Sequence, residues 1–134
     1  MQLMMPLRIA IAEDSWFVAE HLRSQLAALG HSVVGLARTG EELIELVARE
    51  GPDLALVDIR LADGSDGLAA ATEIQRRYAV PAIAATGHLT AAEAESAALL
   101  GLLSKPYTSA GLRAVLDGAT EWLESGTTRP FLVR

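Results

Sequence analysis

A chain of 134 residues, 51% hydrophobic and only 4% aromatic, fits a single domain able to bury an aliphatic core. Its formal net charge of -6 disfavours non-specific nucleic-acid binding, which rests on Lys and Arg neutralising phosphates. The lack of cysteine excludes disulfides, thiolate metal sites and thiol catalysis; Met1 to Pro6 is too short, and lacks the basic flank, for a signal peptide or membrane span, so a soluble cytoplasmic protein is expected.

Strand-like and helix-like segments alternate. Leu7 to Ala12 is a short apolar run that predicts a strand. Ser15 to Leu29 carries Phe17, Val18, His21, Leu22, Leu26 and Leu29 at helical spacing and ends before Gly30. Val33 to Ala37 is the next short run. Thr39 to Ala48 is helical, with Leu43, Ile44 and Val47 on one face and Gly51-Pro52 as the stop. Leu54 to Asp58 leads into a loop rich in Gly and Asp, and Leu68 to Tyr78 is a third helix closed by Val80-Pro81.

Ala82 to Ala85 predicts a fourth strand. Thr90 and Glu93 then make a capping box for a short alanine-rich helix, Ala91 to Leu99, whose narrow apolar face predicts local opening. Gly101 to Ser104 is the fifth strand. Ser109 is placed to cap a last helix running to about Leu123, with Leu112, Val115, Leu116 and Ala119 facing inward. Gly126 ends that helix. The expected architecture is α/β: a doubly wound, five-stranded parallel sheet of flavodoxin-like (βα)5 type, strand order 2-1-3-4-5. Residues 1–126 form the expected domain and 127–134 a C-terminal tail, too short for an output domain.

Four of the apolar runs end in residues suited to phosphoryl chemistry. The first meets Glu13 and Asp14, the third Asp58, the fourth Thr86, and the fifth Lys105-Pro106. In an open parallel sheet these carboxyl ends share one crevice. Singly, each has a structural alternative: Asp14, followed by Ser15, as a helix cap, Asp58 as a solvated loop carboxylate or an Asx-turn former, Thr86-Gly87 as a turn, Lys105 as a solvated lysine. Together, three carboxylates in one pocket raise one another's pKa unless a cation joins them, and a hard divalent ion such as Mg2+ suits oxygen ligands beside a phosphate. Asp58 can then act as a carboxylate nucleophile, with Lys105 and Thr86 supporting the transferring oxygens.

The motifs IAIAEDS, LALVDIRL, AATG and SKPY, in this order and at this spacing, resemble the receiver domain of two-component response regulators over residues 7–124. The resemblance implies that Asp58 accepts a phosphoryl group from a histidine kinase or histidine phosphotransfer protein. It implies that Asp14, Asp58, the backbone carbonyl of Arg60 and, through water, Glu13 bind Mg2+. It also implies that Lys105 and Thr86 read the phosphoryl group and that Lys105-Pro106 is cis.

Some positions depart from the family pattern. Leu102 stands where the family's switch aromatic sits, three residues before Lys105, with Tyr107 nearby. The segment from Thr86 to Lys105 is a little short, and the loop after Asp58 is longer by about one residue, with Asp63-Gly64 available to make its turn. Single-domain receivers with a Phe-Ala-Thr-Gly motif are similar, although Ala84 replaces the Phe; such proteins often work with HWE-type kinases. Arg60 and His88 flank the pocket, and Arg60 either shields the acyl phosphate from water or is simply a solvated arginine. Trp16 and Trp122 are expected on helix surfaces.

Three modes of action fit a receiver without an output domain: a phosphorelay carrier or sink, a phosphorylation-dependent switch binding a target through its fourth helix and fifth strand and helix, or a degenerate module that binds without phosphorylation. No DNA or membrane partner is expected. Haloacid-dehalogenase-type phosphatases also use a strand-end Asp, but they need a second Asp two residues on, where this chain has Arg60. No Gly-rich phosphate loop or dinucleotide fingerprint is present, so beyond its own phosphorylation and dephosphorylation no enzymatic activity is expected.

Overall fold

The computed structural model describes residues 6–64, 66–86, 92–93, 99–105 and 108–125. Five strands, β1 (Arg8–Ala12), β2 (Ser32–Ala37), β3 (Leu54–Asp58), β4 (Ala82–Thr86) and β5 (Gly101–Ser104), pair in parallel in the order β2-β1-β3-β4-β5. The helices α1 (Trp16–Ala28), α2 (Gly40–Glu50) and α3 (Gly67–Tyr78) and the C-terminal helix (Ser109–Ser125) alternate with them. This is the expected doubly wound arrangement. Among these residues no helix is long and apolar enough to cross a membrane.

Side-chain alternation along the strands divides the core by size. Ile9, Ile11, Leu54, Leu56 and Ile83 pack with Leu22 and Leu26 of α1 and with Leu112, Val115 and Leu116 of the C-terminal helix. The residues between them, Ala10, Ala12, Ala55, Val57, Ala82 and Ala84, pack with Leu43, Leu46 and Val47 of α2 and Ala70, Ala71 and Ile74 of α3. Bulk therefore comes from the strands on one face and from the helices on the other. Each fully buried Leu or Ile contributes roughly 1.5–3 kcal/mol. Leu102 is buried on the alanine-rich face, where Leu99 also packs.

One helix start differs from expectation, and one structural alternative falls away. Ser15 caps α1, its Oγ accepting from the Val18 amide at 3.3 Å, so Asp14 is not used as a cap. Thr108, not Ser109, caps the C-terminal helix by accepting from Gly111 N at 2.9 Å, while Ser109 Oγ accepts from Gln25 Nε2 of α1. Thr39 caps α2 and Asp66 caps α3. Phe17 and His21, part of the helical spacing of α1, face solvent, Phe17 at 78% exposure. The stripe that reaches the sheet is Ala19, Leu22 and Leu26, and Phe17 lies about 200° of helical rotation from Ala19. Trp16 is exposed as expected; Trp122 instead packs half-buried against the core. The proposed capping pair with Thr90, most of the helix from Ala91 to Leu99, Gly87, His88, the Lys105-Pro106 bond isomer, Tyr107, Gly126 and the tail lie outside the described residues.

His31, buried between α1 and β2, accepts the Leu7 backbone N–H on Nδ1 at 3.0 Å and so anchors the start of β1. Burial lowers its pKa below 6.5, against a smaller opposing pull from Asp117 of the C-terminal helix. A depressed histidine stabilises the fold above its unfolded pKa and loses that contribution as pH falls through the folded one. Urea denaturation should therefore show stability falling as pH drops below about 6.5, and the His31→Asn variant, which keeps an acceptor near the Nδ1 position, should show a flatter dependence.

Candidate functional site

Strand register sets which polar residues meet. Ala12 lies opposite Val57, Asp58 opposite Ala85 and Thr86 opposite Ser104. Glu13, Asp58, Thr86 and Lys105 therefore leave the sheet at one end within a residue or two of the same level. Two backbone bonds extend the ladders beyond the strands, Glu13 N to Ala37 O at 2.9 Å and Lys105 N to Thr86 O at 3.0 Å. The short apolar runs end here because a charged side chain can reach water only past the covering helices.

Lys105 Nζ donates to Asp58 Oδ2 at 2.8 Å and lies 3.4 Å from Glu13 Oε1. The other Asp58 oxygen, Oδ1, accepts from Arg60 N at 3.1 Å. Glu13 Oε2 accepts from Ser15 N at 3.1 Å, so the residue that caps α1 also orients the acid two positions before it. Glu13 is buried, Asp58 and Lys105 are half-buried, and Asp14 is exposed. Each of Glu13, Asp14 and Asp58 can offer a carboxylate oxygen to one ion, these oxygens lying within 4.8 Å of one another. Thr86 stands at the half-buried end of β4, while Arg60 is exposed and brings its main chain, through the amide, to Asp58. All the expected site residues thus gather at one end of the sheet.

The charges are not balanced within the protein. Burial is the main cause that raises the Glu13 pKa to about 7; the Ser15 amide lowers it, a hydrogen bond with Asp14 and the charge of Asp58 raise it, and Lys105 lowers it. For Lys105, burial pulls the pKa down, yet hydrogen bonding and charge from Asp58, and then from Glu13, hold it above the ordinary lysine value. Three carboxylates face one ammonium, so a hard divalent cation with oxygen ligands fits this donor set by charge and by chemistry.

The segment leaving β3 is pinned back on itself. Ala62 N donates to Arg38 O at 2.9 Å and Gly67 N to Ile59 O at 2.8 Å, while Arg60 and Asp66 form an isolated antiparallel bridge. Asp63 and Gly64 take positive φ values of 65° and 72°, making the turn expected of an Asp-Gly pair. Two contributors escaped the sequence reading. Ser15 carried no signal in the sequence as a donor to Glu13. Gly67, buried against the backbone of Asp58, carried no local signal beyond being a glycine.

A family model for the response regulator receiver domain matches residues 9–117. The phyllosphere-induced regulator PhyR of Methylorubrum extorquens is 35% identical over 130 residues, covering 93% of this chain and 48% of that protein. The crystal structure of the response regulator PhyR from Brucella abortus superposes with a TM-score of 0.83 at 32% identity, over 92% of this chain and 51% of the other. The signal receiver domain of a modulated diguanylate cyclase from Desulfovibrio desulfuricans G20 superposes with a TM-score of 0.81 at 28% identity, over 92% of this chain and 100% of the other. The chain spans about half the length of the curated relatives it matches first.

The raised Glu13 pKa has a measurable consequence in metal-free protein. A carboxyl with a folded pKa of about 7 against 4.5 stabilises the fold fully below pH 4.5 and loses that contribution as pH rises through about 7. In EDTA, Glu13→Gln should match the wild type in urea denaturation at pH 5 and exceed it by about 1–2 kcal/mol at pH 8.

Proposed function

The chain belongs to the response regulator receiver domain family, and on that premise we propose that Asp58 accepts a phosphoryl group from the phosphohistidine of a sensor histidine kinase or histidine phosphotransfer protein, with HWE-type kinases among the candidate donors. The observation that carries this reading is the Lys105 ammonium at 2.8 Å from Asp58 Oδ2, beside two further carboxylates within reach of one cation. A carboxylate oxygen of Asp58 attacks phosphorus, the donor's P–N bond breaks, and its electron pair departs with the imidazole, leaving an acyl phosphate on Asp58.

The protein's own groups supply position and charge. The Arg60 amide and the Lys105 ammonium hold the two Asp58 oxygens in set directions before reaction. Once one oxygen is esterified its charge moves outward, and Lys105 follows it to the phosphoryl oxygens; the Thr86 hydroxyl donates to another. Preorganised charge of this kind is the main requirement of phosphoryl transfer. Asp14, Asp58, the Arg60 carbonyl and Glu13 would hold Mg2+, which when bound would supply charge neutralisation at the phosphoryl oxygens. The exposed Arg60 side chain, at the lip of the pocket, slows attack by water on the product.

Residues 1–126 act as the receiver, in the cytoplasm and without DNA or membrane contact, as a phosphoryl carrier or sink or as a switch that binds a protein target through the surface around residues 91–99, β5 and the C-terminal helix. A phosphorylation-independent binder is the competing reading, and the intact pocket argues against it.

Incubation with a small-molecule phosphodonor and Mg2+ should give one phosphate adduct by intact mass, absent from Asp58→Asn and from samples in EDTA. Lys105→Ala should lower the rate by about 10²-fold or more, the scale of losing a preorganised electrostatic contact. An Asp58→Asn protein that takes up phosphate as well as the wild type would refute the assignment. Partner affinity measured with and without beryllofluoride separates switch from carrier, since a shift in population cannot exceed that difference in affinity.

A further inference from the structure

We infer that Gly67 is a positioning residue for the phosphorylation of Asp58, an inference that rests on the receiver reading above. A Cβ at position 67 would overlap the Asp58 carbonyl oxygen and lie 2.9 Å from Asp58 C and 3.0 Å from Ile59 Cα. These are backbone atoms, which cannot rotate aside as the tip of a side chain can. The need for glycine is one of space: Gly67 is not among the residues with positive φ and it begins an ordinary helix. The first turn of α3 thus rests directly on the peptide that carries the phosphoacceptor.

Neither side of this contact can retreat alone. Gly67 N donates to Ile59 O at 2.8 Å, and α3 is seated on the sheet through Ala70, Ala71 and Ile74, all buried. Across from it, β3 is the central strand, paired with β1 and with β4, where Asp58 lies opposite Ala85. A methyl group at position 67 would therefore displace the Asp58-Ile59 peptide as well as α3. The Asp58 carboxylate projects from that peptide toward the Arg60 amide and the Lys105 ammonium. Misplacement of a reacting group on the order of 1 Å costs about 10²-fold in rate.

Gly35 provides a matched control. A Cβ there would meet the Leu46 side chain, 2.6 Å from its Cδ1, straining the core between β2 and α2 away from the pocket. A second probe adds no atom: Asp66→Ala removes the Asp66 Oδ1 that accepts from Leu68 N at 2.9 Å and so frays the turn that rests on Asp58.

The experiment measures phosphorylation rates of the full chain at saturating small-molecule phosphodonor and Mg2+, on variants shown to be folded by circular dichroism, with Mg2+ affinity from calorimetry. Gly67→Ala is expected to react at least about 10-fold more slowly than wild type, with weakened Mg2+ affinity, while Gly35→Ala retains the wild-type rate per folded molecule. Asp66→Ala should be slowed about threefold, in the same direction. A wild-type rate in Gly67→Ala, or equal slowing in Gly35→Ala, overturns the inference; if Gly67→Ala does not fold, an unchanged rate in Asp66→Ala overturns it. Uptake by wild type, none by Asp58→Asn and uptake at the wild-type rate by Gly67→Ala sinks the positioning role alone. No uptake by the wild type removes the receiver chemistry and this role with it.

Discussion

Lys105 reaches across from the end of β5 to bond Asp58 at 2.8 Å and lies 3.4 Å from Glu13. The arrangement of the pocket depends on that one ammonium. Without it, three carboxylates from two strand ends would crowd a half-buried pocket with no counterion among the described residues. With it, repulsion is reduced but not cancelled; burial first, and then the Asp14 hydrogen bond and the Asp58 charge, still raise the Glu13 pKa to about 7. A site left under-neutralised in this way is ready for a cation and then for a phosphoryl group whose charge the same residues must meet. Glu13 belongs to this balance as much as to ligation, because its oxygens are divided between the Lys105 ammonium and the Ser15 amide.

The scaffold holds these charges in place by dividing labour across the sheet. Large aliphatic residues fill one face under α1 and the C-terminal helix. On the other face alanines let α2 and α3 bring their own leucines and isoleucine close to the strands. Close seating of α3 allows its first residue to lie on the Asp58 backbone, and only glycine fits there. Packing far down α3 and geometry at the reacting carboxylate are thus parts of one rigid arrangement. Interiors at crystal-like density transmit such displacements because they have little free volume to absorb them. Leu102, buried against the alanine face, belongs to this same packed layer and has no ring to move between rotamers; whatever couples the pocket outward must use something other than an aromatic swing at this position.

Much of the site was legible in the chain because its signal is local. An apolar run that stops at Asp58, Thr86 or Lys105 announces both a strand and the end at which the polar group emerges. The turn at Asp63-Gly64 is local too. Other features were not legible. The Glu13–Lys105 pair spans 92 positions. Phe17 matched the helical spacing of α1, but the stripe that won is the one the sheet could cover, Ala19, Leu22 and Leu26. Ser109 is the better cap by residue type, yet Thr108 caps the helix, while Ser109 is taken up by Gln25 of α1.

What the sequence determined by itself, then, is the alternation of strands and helices, the strand order that right-handed crossovers permit, and the identity of the polar residues at the strand ends, since periodicity and termination act over a few residues. Tertiary structure alone decided which oxygen of Asp58 meets Lys105 and which meets Arg60, that Glu13 is buried and hard to ionise while its neighbour Asp14 is exposed, and that position 67 admits no side chain. Each of these depends on strand register and helix seating to within about an ångström, a precision at which electrostatics and steric contact act but which no local pattern of residues encodes.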